Sequence, residues 1–154
     1  WEKVLPYIRG TEEKIRAFVQ GYMSLYQQNP HYSALVMLQL KSNRNFLKTR
    51  AYAIIKSIAG RLLEFIQEGV DNGTFRKDTD PHLVRSMILG TIEHLCIRWH
   101  LLGAPANLVD QVDPLVDIIL DGIKTRSMPR GISINVKFAP DGELKEPPEV
   151  TTIR

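Results

Sequence analysis

The 154-residue chain contains one cysteine, Cys96. A single thiol excludes an internal disulfide framework and a multi-cysteine metal site. It suits a reducing cytoplasm, which is the expected location. Long apolar runs are lacking too: charges interrupt the sequence well short of a membrane span, so no membrane partner is expected. No basic-plus-apolar leader stands at the start. The chain opens at Trp1, without a methionine, inside what reads as a helix, WEKVLPYI, so a preceding segment is expected. Charge of one sign is also scarce: 20 basic residues face 17 acidic ones, for a net +3. That balance is too small and too mixed to mark a nucleic-acid surface.

Catalytic signatures are missing as well. The sequence has no HExxH, no paired ExxH, no GxSxG and no phosphate-binding glycine loop, so no enzyme activity and no cofactor are expected. His82, His94 and His100 share one helical stretch, but His94 lies about 120° around the helix from the other two, which argues against a metal site. Cys96 sits on an apolar flank and reads as buried rather than nucleophilic.

What is present is helical. At 44% hydrophobic and 24% charged, the chain has the composition and length of one domain with a real core. Thr11 reads as an N-cap, followed by Glu12 and Glu13 and by Ile15, Phe18, Val19, Tyr22 and Tyr26 at helical spacing. Asn29-Pro30 stops that helix, and a short apolar helix over about 31–41 follows until KSNRN breaks it. A long helix is expected over about 45–71, with Ala51, Ile55, Ile58, Ala59, Leu62 and Ile66 on one stripe and DNG at its end. Asp80 and Pro81 give a strong start signal for the next helix, which ends at Gly103. The last helix, about 108–126, holds its stripe of Leu108, Val112, Leu115, Ile119 and Ile123 across Pro114, so a kinked continuous helix is expected. From Ser127 prolines and glycines multiply, Ile132, Ile134, Val136 and Phe138 alternate, and APDG reads as a turn. The organisation is therefore an all-α body, 1–126, with a short extended tail, 127–154. The tail segment 132–138 needs a partner strand, either another extended piece or a symmetry mate, and its apolar side chains should lie against a surface.

The stretch MILGTIEHLCIRWHLLG, residues 87–103, is apolar on almost every side. One face carries Val84, Ile88, Ile92, Leu95 and Trp99, and a second carries Met87, Thr91, His94 and Arg98. Two buried faces place the helix between two layers. Ile118 and Leu120 lie off the main stripe of the last helix, so both C-terminal helices have surplus apolar surface, which points to self-association.

The helix order, the NP break after the Tyr22/Tyr26 helix, the connector VDNGTFRKDTDP and the stretch just quoted together resemble the C-terminal regulatory domain of TetR-type transcriptional repressors. The resemblance covers about residues 1–126, and within the family it is nearest to the fatty-acid-metabolism repressors that respond to acyl-CoA. It implies a helical ligand-binding and dimerisation domain whose two C-terminal helices form a four-helix bundle in a homodimer. It also implies an N-terminal helix-turn-helix domain, absent from this chain, through which alone DNA is bound; 1–8 would end the linking helix. The tail departs from the family pattern.

A ligand pocket follows from the resemblance, for a small apolar or acyl ligand. Its candidate lining is Tyr22, Met23, Tyr26, Met37 and Met87, and Lys41, Arg44, Lys48 and Arg50 form a basic run suited to coenzyme A phosphates or simply to solvent. A dimer face would set Arg98 against its own copy, so Met87, Thr91, His94 and Arg98 are expected to line a cavity inside their own subunit. The stripe Val84, Ile88, Ile92, Leu95 and Trp99 then serves core and dimer packing, with Leu115, Ile119 and Ile123 on the dimer face. The alternative is a helical dimerisation or adaptor module with no small ligand, in which Arg98 pairs with an acid such as Glu64 or Glu68.

Overall fold

The structure is a computed structural model that describes residues 7–40, 43–125 and 131–153. Helix α1 (Thr11–Gln28) runs through the middle of the body. A short helix α2 (Pro30–Ala34) continues into a π-helical segment, Leu35–Leu40. A 3-10 turn (Arg44–Lys48) then leads to α3 (Arg50–Asp71). The connector brings in α4 (Pro81–Leu102), and a 3-10 turn (Val109–Gln111) precedes α5 (Val112–Ile123). Two strands, β1 (Gly131–Asn135) and β2 (Glu149–Ile153), follow the body.

Local chemistry sets the helix ends, at three places differently from the sequence expectation. Gly10, not Thr11, caps α1; its φ of 92° is one that glycine adopts freely. The Thr11 hydroxyl is used for a tertiary contact instead, accepting from Asn72 Nδ2 at 3.2 Å. The long helix begins at Arg50 rather than 45, because Thr49 caps it by accepting from Tyr52 N at 3.2 Å. Pro114 does not kink α5: it falls in that helix's first turn, where no intrahelical partner for an N–H exists to be lost. Asp80 and Gly103 end α4 as expected. Asp80 accepts from His82 N and Leu83 N, and Gly103 adopts the left-handed conformation at φ 65°.

The core gathers Ile15, Phe18, Val19 and Met23 of α1 against Leu62 and Ile66 of α3, Ile88, Ile92 and Cys96 of α4, and Leu108, Val116 and Leu120. Of the expected α3 stripe, Leu62 and Ile66 are buried, Ile55, Ile58 and Ala59 are half-buried, and Ala51 is exposed. Polar ties lock the layers. Lys14 bonds Glu68 at 2.8 Å between α1 and α3, Arg16 reaches Asp113 and Asp117 of α5, and Gln27 Oε1 accepts from Leu108 N and Val109 N.

The connector is itself a packing device. Phe75 is fully buried and pairs in an antiparallel bridge with Lys124, with Arg76 N donating to Ile123 O at 2.9 Å. Its ring lies over Gly69, where an added Cβ would come within 2.3 Å. Glycine is thus required there by close approach.

In the tail, β1 pairs antiparallel with β2, so the extended segment finds another extended piece as its partner. Gly142, at φ 86°, turns the chain, and Phe138 bridges Leu144. Of the alternating side chains expected to lie against a surface, Ile134, Val136 and Phe138 are exposed instead, and the burial of Ile132 lies outside the described residues. The backbone pairing of β1 with β2 satisfies the extended segment's hydrogen-bonding groups on that side.

Candidate ligand cleft

A cleft opens where α3 and α4 face each other. Ala59 of α3 meets Ser86 and Gly90 of α4 across a cleft of about 610 Å³, within the size range of small-molecule sites. Its apolar lining is Phe46 and Leu47 from the 3-10 turn, Ile55 from α3 and Leu89 from α4, with Tyr52 beside them. Phe46 is buried and packs edge-on against Tyr52 at 5.8 Å between ring centres, which fixes the turn over the helix end. Leu47, on the same turn, is 58% exposed.

Three charged groups reach this cleft: Lys56, Arg85 and Glu93. Arg44 and Lys48 sit on the adjoining turn and Arg50 opens α3, all exposed. Lys41, the first residue of the expected basic run, lies outside the described residues. Cations therefore border an apolar floor, the arrangement needed for a ligand with a long hydrocarbon part and an anionic head.

Tyr22, Met23, Tyr26 and Met37, the sequence-expected pocket residues of α1 and the segment after it, do not line this cleft. All four are buried in the core. Phe18, Tyr22 and Tyr26 form a ladder of ring contacts at 5.5 and 5.1 Å, extended to Tyr32 at 6.2 Å. The hydroxyls of Tyr22 and Tyr26 satisfy each other, and burial pushes both phenols above the ordinary tyrosine range. The negative charge of Glu93 pushes Tyr22 in the same direction.

The column expected to face the interior faces outward. Met87, Thr91, His94 and Arg98 are exposed, and Thr91 Oγ1 bonds only back to Met87 O, at 2.8 Å. Arg98 incurs no burial cost in that position, so the reason for turning it inward disappears. The stripe assigned partly to the dimer face is committed to the subunit's own core: Val84, Ile88, Ile92, Leu115, Ile119 and Ile123 are buried, and Leu95 and Trp99 pack against them. The apolar surface left uncovered on these two helices is instead Leu83, Met87, Leu101, Leu102 and Ile118, each half or more exposed. His100 points to α2, with Nε2 2.9 Å from the buried Ser33 hydroxyl. Cys96 is buried, as its flank position suggested. Among the described residues no helix is long and apolar enough to cross a membrane.

Sequence reasoning missed Arg85, Lys56 and Gly90 as cleft residues. The available signal was the coincidence of small residues on facing helices, Ala59 with Ser86 and Gly90, which only the antiparallel register of α3 and α4 brings together.

Comparison with known proteins places this architecture. The solved transcriptional regulator FadR from Bacillus subtilis, in complex with stearoyl-CoA, superposes with a TM-score of 0.70 at 23% identity, over 79% of this chain and 66% of that one. The fatty acid degradation regulator FadR from Bacillus halodurans gives a TM-score of 0.70 at 22% identity, over 81% and 65%. At that identity the likeness establishes the all-α fold. In sequence, the fatty acid metabolism regulator protein of Bacillus subtilis (strain 168) is 23% identical over 115 residues, 75% of this chain. The chain spans 59% of that relative's length. The TetR C-terminal family described as "YsiA-like protein, C-terminal region" matches residues 2–122. The chain therefore belongs to this family of C-terminal regions of TetR-type transcriptional regulators.

Proposed function

We propose that the domain senses a fatty acyl thioester of coenzyme A and works as a homodimer that sets the DNA affinity of helix-turn-helix heads. The observation that carries this is the cleft between α3 and α4, with its apolar lining and its cations Lys56 and Arg85. The hydrocarbon chain lies along Ile55 and Leu89, and the phosphates meet Lys56, Arg85 and the Arg44–Arg50 run. Tyr22, Met23, Tyr26 and Met37 stay in the packed core. The B. subtilis regulator's complex with stearoyl-CoA supports the choice of ligand class.

A second copy covers Leu83, Met87, Leu101, Leu102 and Ile118, with α4 and α5 of both subunits forming a four-helix bundle. Thr91, His94 and Arg98 border that face. The same helix α4 lines the cleft on one side and carries the dimer face on another. A ligand that binds one arrangement of α3 against α4 more tightly shifts the subunit geometry and with it the spacing of the heads.

One observation favours the module without a ligand: the core around Tyr22, Met23 and Tyr26 is closely packed. Calorimetric titration separates the two. Sensing predicts saturable binding of palmitoyl-CoA, weaker binding of coenzyme A alone, and roughly tenfold loss or more for Arg85→Gln, the worth of a charge-assisted contact. Absence of binding by the folded dimer leaves the dimerisation module.

A further inference from the structure

The 17 acidic residues leave one long stretch empty: no aspartate or glutamate stands between Glu13 and Glu64. Six cations fall in its later half, Lys41, Arg44, Lys48, Arg50, Lys56 and Arg61, against 14 in the rest of the chain beside all 17 acids. The small net charge is thus segregated. In the structure Arg44, Lys48, Arg50, Lys56 and Arg61 are exposed, and none has an ion-pair partner among the described residues. Two apolar side chains project among them. The buried Phe46 anchors the 3-10 turn, while Leu47 beside it is 58% exposed, and Ile54 of α3 is 55% exposed. Ile54 shares a helix face with Arg50, Ser57 and Arg61, all exposed, on the side away from Ile55 and Leu62. No residue of α3 ahead of Leu62 is buried.

We infer that this tip, the 3-10 turn Arg44–Lys48 with the first three turns of α3, docks on an anionic lipid surface. Cations beside a membrane of anionic lipid each strengthen binding about fivefold. Apolar side chains between them enter the boundary of headgroups and hydrocarbon. A nucleic-acid backbone would use the same cations but offers nothing to Leu47 and Ile54. Among the described residues no helix is long and apolar enough to cross a bilayer, so the contact is with its surface. The absence of a membrane partner expected from the sequence concerned crossing alone. The inference goes beyond acyl thioester sensing and does not depend on it. The two are compatible in space: Leu47 and Lys56 also line the cleft, so docking brings the cleft to the lipid, whereas Arg50, Ile54 and Arg61 are outside its lining.

The test is sedimentation of the chain with vesicles of mixed phosphatidylglycerol and phosphatidylcholine and with vesicles of phosphatidylcholine alone, beside titration with duplex DNA of random sequence. The variants are Arg44→Gln/Lys48→Gln/Arg50→Gln and Ile54→Asn, whose exposed positions should leave the melting temperature near that of wild type. The expected result is binding to the anionic vesicles and not to the neutral ones. That binding should fall roughly a hundredfold in the triple variant and about tenfold in Ile54→Asn. A wild-type chain that ignores the anionic vesicles, or binds the neutral ones equally, overturns the docking. So does an Ile54→Asn variant that binds as tightly as wild type, since the tip then holds any polyanion; DNA binding as tight as vesicle binding would then assign the tip to nucleic acid. The vesicles contain no thioester, so each of these failures leaves acyl-CoA sensing standing.

Discussion

Gly69→Ala and Gly60→Ala make the same chemical change in the same helix, and the structure predicts opposite signs. At Gly69 the new Cβ would lie 2.3 Å from both Cδ2 and Cε2 of Phe75 and 3.0 Å from the Thr11 methyl. The ring has no exit, because Phe75 is fully buried and its N–H is held by Gly69 O at 2.8 Å. Its neighbours are pinned to the end of α5 by Arg76 N to Ile123 O and Thr125 N to Thr74 O. Overpacking of this kind costs about 1–3 kcal/mol, and expelling the ring instead forfeits about 1.5–3 kcal/mol of burial. The gain in helix propensity returns only about 0.5–1 kcal/mol. A net loss of about 1–2 kcal/mol is expected. At Gly60 the Cβ meets nothing within 4 Å, so the same propensity term stands alone and stability rises by about 0.5–1 kcal/mol. Urea unfolding followed by circular dichroism measures both, with an unchanged slope confirming that the native and denatured states compare. Shifts of the same sign in the two variants would refute the account of how the connector braces α3 against the end of α5.

Other outcomes follow from the burial pattern. Ile118→Arg, at a position 75% exposed in the chain, should keep its helical signal but lose the dimer in light scattering, since a charge placed in a dry symmetric interface costs several kcal/mol. Ile119→Arg, one residue on and buried in the subunit core, should fail to fold; folded monomers from Ile119→Arg would contradict the orientation of α5. Burial holds the phenols of Tyr22 and Tyr26 protonated beyond the pH at which an unfolded tyrosine ionises. Above about pH 10 the unfolded state therefore binds fewer protons than the folded one, and stability should fall as pH rises. A Tyr22→Phe/Tyr26→Phe double variant should flatten that fall, measured as the urea midpoint from pH 9 to 11; an identical slope in the variant would place the phenols in solvent.

The sequence disclosed helices more readily than faces. Asp80-Pro81, Asn29-Pro30 and Gly103 mark ends by backbone chemistry that acts locally, so those boundaries are legible. Thr11 misled because its hydroxyl is spent on Asn72, a partner 61 residues away. On α4 the apolar residues nearly encircle the axis, so periodicity yields two candidate faces and no way to choose between them. Arg98 was turned inward on the cost of burying it, and in the chain it simply stays exposed. The same ambiguity assigned Ile119 outward, whereas Ile118, off the main stripe, is the residue left uncovered. The cleft was illegible for a different reason. It is made of what Ala59, Ser86 and Gly90 lack, and such absence acquires meaning only when two helices are set side by side.

The central claim is that an acyl chain lies between α3 and α4 rather than in the aromatic core or between subunits. A crystal structure of the domain grown with palmitoyl-CoA tests it most directly. The account predicts continuous density for the chain alongside Ile55, Leu89 and Gly90, with phosphate density within hydrogen-bonding reach of Arg85 or Lys56. Density for the chain among Tyr22, Met23, Tyr26 and Met37, or across Leu101 and Ile118, would contradict it.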